Sequence, residues 1–133
     1  MSKIKIIYDG NLHCRTIDAG AGKQVVTDAS PGKEENFSPT ELVALALGSC
    51  MLMMIGAAAQ KSGIDTAGSS VEVEKEMVIR PVYRIGKIQV NIIMPPGIDR
   101  AQRKFLEEAA GRCPVHKSLH PDIQIAVNFR YPD

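Results

Sequence analysis

The sequence predicts an α+β fold, with antiparallel strands arranged about one long apolar helix and a second helix beside it. Three observations predict it. Residues 42–59 carry no charge, which no surface helix tolerates. Residues 71–79 and 85–93 each alternate apolar and polar side chains with a period of two, the signature of strands half-buried on one face. The order of elements, β-β-β-α-β-β-α-α-β, groups strands together and lacks the strict strand–helix alternation of parallel α/β folds.

The chain opens as a meander. Residues 3–8 largely alternate, Asp9-Gly10 is a turn signal, and residues 12–17 return antiparallel to the first strand. After turn-rich residues 18–22, residues 24–27 form a third strand, and residues 28–37, with Pro31, Gly32 and four charges, read as a loop. The signals then change together at "FSPTE". Ser38 accepts an amide of the first turn, Pro39 suits the first helical position and Glu41 completes a Ser-x-x-Glu capping box. The helix that starts there stops at Gly63, about 23 residues and roughly 35 Å at 1.5 Å per residue. Lacking a hydrophilic stripe, it has to be wrapped by protein or by lipid. Its eighteen uncharged residues sit at the lower limit for a membrane span and are diluted by Ala, Gly and Ser, which favours protein. Ala44, Gly48, Leu52 and Gly56 form a stripe, three of the four small, along which another element can approach.

Two antiparallel strands follow, at 71–79 and 85–93, joined around residues 81–84. Val71, Val73, Met77 and Ile79 lie on one side of the first, and Glu72, Glu74 and Glu76 on the other. Pro95-Pro96-Gly97 breaks the sheet, and Asp99 can cap an amphipathic helix with Ala101, Phe105, Leu106, Ala109 and Ala110 on one face. Pro114 can open a further short helix, and residues 123–129 alternate as a final strand.

Composition narrows the function. At 133 residues the chain reads as one domain, residues 1–133, of a size for which a partner subunit can matter. Sixteen Lys and Arg balance fifteen Asp and Glu with no long basic run, so no nucleic-acid partner is expected. Three cysteines at unrelated spacings do not make a disulfide framework, and the N-terminus lacks a secretory pattern, so a cytoplasmic protein with reduced thiols is expected.

The chemistry then turns on the thiols. Cys50, mid-helix, reads by itself as a small buried hydrophobe. Cys113 precedes Pro114 and is a natural N-cap, where free amides and the positive helix end favour a thiolate; the alternative is a solvent-facing loop cysteine. Cys14 reads as structural, because strand alternation puts Arg15 on the opposite face. A zinc site drawing on Cys113, His116, His120, His13 and Cys14 lacks a second clustered half, and no metal is expected. A Cys113–His116 acyl-transfer pair lacks a readable orienting residue or oxyanion site, which leaves His116 as a solvated first-turn residue.

The segments "FSPTELVALALGSCMLMMI" and "CPVHKSL" together resemble the OsmC/Ohr family of osmotically inducible and organic hydroperoxide resistance proteins. The match is carried by Pro39, Glu41, Leu42, Ala44, Ala46 and Cys50, then by Cys113, Pro114, Val115, Lys117 and Leu119, with the cysteines 63 positions apart. The wording is closest to the OsmC-like subgroup. The resemblance implies an OsmC-like intertwined homodimer, its sheets wrapped around the central helices, with sites at the subunit interface. It implies thiol-dependent reduction of organic hydroperoxides in oxidative-stress defence, without metal or organic cofactor. Cys50 takes the role of attacking thiolate, which becomes a sulfenic acid. Cys113 takes that of resolving thiol, and a dithiol reductant, lipoyl or a small thiol, reopens the disulfide. A buried thiolate needs a cation; Arg15 is the nearest match to the family's strand arginine. The family's orienting carboxylate falls at Thr40 here, and the nearest acid, Glu41, is rotated by about 100° on a helix. Leu47, Met51 and Met54 are expected to line the site and to favour alkyl over hydrogen peroxide. The alternative is a non-enzymatic dimeric module that binds an apolar ligand or senses oxidants.

Overall fold

The structure is a computed structural model and describes residues 3–17, 22–29 and 35–132. Among the described residues there are nine elements, in the expected order: β1 (Lys5–Gly10), β2 (His13–Ile17), β3 (Val26–Asp28), α1 (Pro39–Lys61), β4 (Ser70–Val78), β5 (Arg84–Ile93), α2 (Arg100–Ala110), α3 (Pro114–Ser118) and β6 (Gln124–Arg130). They fall into two compact units, residues 1–42 and 43–133.

In the first unit β1, β2 and β3 form an antiparallel meander in that order. The β1–β2 turn lies two residues beyond the expected Asp9-Gly10. β1 runs through Gly10, and Asn11 and Leu12 take the left-handed conformation, with φ 54 and 56. Residues 18–21 of the turn expected at residues 18–22, and residues 30–34 of the loop before α1, lie outside the described residues. Glu41 Oε1 accepts the Ser38 amide at 3.0 Å while Ser38 Oγ accepts the Glu41 amide at 3.3 Å, so the capping box forms as read.

The second unit holds the core. β4, β5 and β6 make a three-stranded sheet in that order, and the body of α1 packs on it through Leu47, Met51 and Ile55. Leu106 and Ala110 of α2 join the same core. One pairing departs from the antiparallel expectation: β6 runs parallel to β5. Parallel neighbours need a crossover of roughly a dozen residues or more, and α2 and α3 supply it. A register shift between Glu76 and Met77 interrupts the alternation of β4, and Ile79, expected inside, falls beyond the strand and is exposed. Phe105 of α2 is likewise exposed rather than buried, and Asp99 occupies the N-cap without a side-chain cap bond. The chain end is tied to α2, where Tyr131 Oη donates to Glu107 Oε2 at 2.7 Å and the Arg103 guanidinium lies 4.2 Å over the Tyr131 ring.

The small-residue stripe on α1 divides in two. At Gly48 a Cβ would lie 2.9 Å from Val73 Cγ1 and 3.3 Å from Val71 Cγ1, so β4 approaches the helix backbone there. At Gly56 a Cβ would meet nothing. Gly48→Ala is therefore expected to destabilise the protein by about 1–3 kcal/mol through overpacking, whereas Gly56→Ala gains helix propensity. Urea unfolding of the two variants checks the contrast.

Among the described residues α1 is the one helix with the length and apolarity to cross a membrane. Its charge-free surface is only partly covered. Leu47, Met51 and Ile55 are buried, but Leu45 and Met53 are 42% and 70% exposed, on a stripe with exposed Ala46 and Ala57. The first unit also shows apolar side chains, including Ile4, Ile6 and Tyr8. The expectation that protein wraps the helix holds for one of its faces in a single chain.

Candidate functional site

Cys50 is half-buried on α1. One turn away on its covered side lies Leu47, and on its exposed side lie Ala46 and Met53, so its thiol stands at the border between core and exposed apolar stripe. Cys113 reaches the same place from the crossover, 63 residues later. Gly111 ends α2, the chain turns at Arg112, and Pro114 begins α3 with Cys113 as its N-cap. Cys113 Sγ accepts the His116 amide at 3.5 Å, and the Val115 amide adds to it. The side chain is fully buried, which removes the solvent-facing alternative. Cys50 packs against the core cluster that holds Cys113, and both are free thiols.

The expected effect of the cap on Cys113 is present but opposed by burial. Burial pushes the Cys113 thiol above its ordinary value of 9.0, and the neighbouring Cys50 thiol adds to the rise; the two capping amides pull the other way without cancelling it. The cap favours a thiolate, as read from sequence, but desolvation outweighs it. Cys113 therefore rests protonated.

Leu47 and Met51 belong to the core, packed in the same cluster as Cys113, and Met54 is partly buried against it. The exposed neighbours of Cys50 on α1 are Ala46 and Met53. His116 is not a fully solvated residue: its Nδ1 is buried without a hydrogen-bond partner among the described residues. That atom has no sequence signal, since its burial depends on how α3 is seated.

Arg15 and Glu41 belong to the first unit. Arg15 Nε donates to Asp9 Oδ2 at 3.0 Å and Oδ1 at 3.2 Å, and Glu41 is engaged in the capping box. The Thr40 hydroxyl lies 3.4 Å from that of Ser38. Cys14 pairs in register with Tyr8 and Thr27 and is half-buried. Among the described residues no group of three or more His, Cys, Asp or Glu side chains is placed to hold a metal.

Sequence reading missed a second polar cluster, in the first unit. His13 Nδ1 lies 2.5 Å from Asp28 Oδ1, Asn36 Nδ2 donates to Asp28 Oδ2 at 3.0 Å, and the Asp28 amide donates to the Phe37 carbonyl at 3.2 Å. Asp9, His13, Asp28, Glu35 and Asn36 line an open cavity of about 590 Å³. The Asn36 bond, and then the His13 bond, hold the Asp28 carboxyl below its ordinary value of 3.8. A depressed carboxyl stabilises the folded state above its unfolded value, and that contribution fades as pH falls through the folded value. Asp28→Asn is thus expected to flatten the acid-side fall of the thermal midpoint below about pH 4, as read by calorimetry across pH.

Comparison with known proteins places the chain. A sequence family described as OsmC-like protein matches residues 32–128. This chain belongs to the OsmC-like family. A Psychrobacter arcticus structure, described as an osmotic stress induced and detoxification response protein, is 36% identical; the alignment covers 98% of this chain and 96% of that one, with a TM-score of 0.89. Two further OsmC/Ohr structures share the fold. An organic hydroperoxide resistance protein OsmC from Legionella pneumophila is 16% identical over 98% and 96% of the two chains, with a TM-score of 0.76. The organic hydroperoxide resistance protein OhrB of Bacillus subtilis is 15% identical over 97% and 98%, with a TM-score of 0.73. No curated protein matches the sequence. In this OsmC-like chain the two cysteines implied by the resemblance share one core, Cys50 packed against the cluster that includes Cys113, although nothing local to either segment places them together.

Proposed function

We propose that this protein reduces organic hydroperoxides with the Cys50/Cys113 pair, as a cytoplasmic thiol peroxidase acting in oxidative-stress defence. The observation that supports the reading is that Cys50, at the edge of an exposed apolar stripe, packs against the core cluster in which Cys113 is fully buried. The Cys50 thiolate attacks the distal oxygen of ROOH; the S–O bond forms as the O–O bond breaks, giving a sulfenic acid and an alkoxide that takes a proton to become ROH. Cys113 then attacks the sulfenic sulfur, the disulfide forms and water leaves, its second proton coming from the Cys113 thiol. A dithiol of lipoyl or small-thiol type returns the pair to thiols by exchange.

In this reading residues 1–133 act as a single OsmC-like domain within a homodimer. The uncovered stripe of α1 at Leu45 and Met53, and the exposed apolar side chains of the meander, give a second copy surface to bury. Arg15 is the cation assigned to the thiolate, and Glu41 the acid nearest to the position that Thr40 holds. The Asp9 carboxylate that now engages Arg15 has to share or release it.

Mass spectrometry after one equivalent of cumene hydroperoxide tests the reading, and an intramolecular Cys50–Cys113 disulfide is the expected product. Two persistently free thiols favour the second reading, a dimeric module that binds an apolar ligand or senses oxidants. Thr40 in place of the family's carboxylate is the observation on that side.

A further inference from the structure

We infer that the tip of the β4–β5 hairpin, residues 79–83, docks on an anionic lipid bilayer, touching the surface without crossing it. The inference goes beyond the thiol chemistry and does not depend on it. Hairpin connections draw on Gly, Asn, Asp and Ser, which take left-handed conformations or bond their own backbone. Here the connection between Val78 and Arg84 reads Ile-Arg-Pro-Val-Tyr. All of it is exposed, with Ile79 at 76%, Val82 at 59% and Tyr83 at 74%. Scattered exposed apolar residues are ordinary, but three on one short connection make a patch. The base of the patch is fixed. Val78 pairs in register with Arg84, and a Cβ on Gly86 would lie 2.5 Å from Val78 Cγ1, so the strands close tightly just below the tip. The register shift between Glu76 and Met77 that leaves Ile79 outside the core adds it to this patch.

Charge selects the occupant. Residues 77–98 contain no Asp or Glu, and their cations are Arg80, Arg84 and Lys87. Lys87 pairs in register with Glu76, which leaves Arg80 and Arg84 to flank the apolar side chains. Among the described residues neither arginine has a carboxylate partner; Arg84 Nη1 donates to the Ile85 carbonyl at 3.0 Å. The acid at the same end of the sheet, Asp122, lies 3.8 Å from His120 Nδ1. Two cations beside Ile79, Val82 and Tyr83 match the layers of an anionic bilayer surface. Apolar side chains enter the acyl boundary, a tyrosine ring sits at headgroup level, and arginines reach lipid phosphate. A second copy meeting this one tip to tip would set the arginines against their own counterparts with no acid between them, which disfavours it as the occupant.

The chain contains no tryptophan, so Tyr83→Trp places a single fluorescent reporter at the tip. Its emission is read against vesicles of phosphatidylcholine mixed with phosphatidylserine and against phosphatidylcholine alone. A blue shift with the mixed vesicles is expected, weakening as salt is raised. Arg80→Gln in the same background is expected to weaken partition into the mixed vesicles about fivefold, the effect of one cation at an anionic surface, and to leave partition into phosphatidylcholine unchanged. Val82→Asn is expected to weaken both. Phe105→Trp, at an exposed aromatic position on α2, is the control and is expected to show no shift. Co-sedimentation of the unsubstituted chain with the same vesicles gives the salt dependence without any change of sequence. No shift at Tyr83→Trp with the mixed vesicles overturns the inference, as does an equal shift at Phe105→Trp. Emission already blue-shifted in buffer puts a second copy over the tip and overturns it as well. A shift with polyglutamate but none with vesicles replaces the bilayer with an acidic protein partner.

Discussion

Cys50→Ser is expected to bring cumene hydroperoxide turnover, with a dithiol as reductant, down to the level without protein. The nucleophile in this chemistry is a thiolate, and a serine hydroxyl in its place has neither the acidity nor the polarisable sulfur that attacks an O–O bond. Nothing else in the second unit substitutes for it, because Cys113 rests protonated and fully enclosed. Cys113→Ser is expected to allow one turnover, leaving a sulfenic acid that small thiols but not the internal partner can clear. Cys14→Ser is the control: Cys14 sits in β2 between Tyr8 and Thr27, and its loss should leave turnover within error of wild type. A Cys50→Ser protein that retains the wild-type rate ends the peroxidase reading.

Leu47→Ala is expected to cost about 2–5 kcal/mol of stability and to leave the preference for cumene over hydrogen peroxide unchanged. Leu47 is fully buried and packs in one cluster with Met51, Ile88, Val90 and Cys113, so its truncation leaves a cavity that β5 and α1 cannot both move to fill. If Leu47 lined the substrate path instead, the smaller side chain would alter peroxide selectivity with little loss of stability. Urea denaturation, read as a fall in midpoint at constant slope, separates the two outcomes, together with the ratio of rates for the two peroxides. Met53→Ala is the complementary variant. Its side chain is largely exposed one turn beyond Cys50, so its truncation is expected to cost little stability.

What was legible in the sequence was local. The helix bounds followed from Ser38, Pro39 and Glu41 at one end and Gly63 at the other, because capping groups and a left-handed stop act within four residues. The N-cap role of Cys113 followed from Pro114 for the same reason. Strand order along the chain came from period-two alternation, which failed where the ladder itself is irregular, at the shift between Glu76 and Met77 that leaves Ile79 outside. The cluster of His13, Asp28 and Asn36 was invisible because its members lie fifteen and eight positions apart on a meander whose register is set by pairing, not by any motif.

By itself, then, the sequence determined the elements, their caps and the two thiol-bearing segments whose wording resembles the OsmC/Ohr family. Only the tertiary structure decided that β6 pairs parallel to β5, that one face of α1 is covered while Leu45 and Met53 are not, and that Cys113 is buried in the core against which Cys50 packs. It also decided that burial raises the Cys113 thiol against the pull of its cap. A helix cap is a property of a few consecutive amides, but the desolvation that overrides it comes from side chains of α1 and the sheet, brought together by the crossover through α2 and α3.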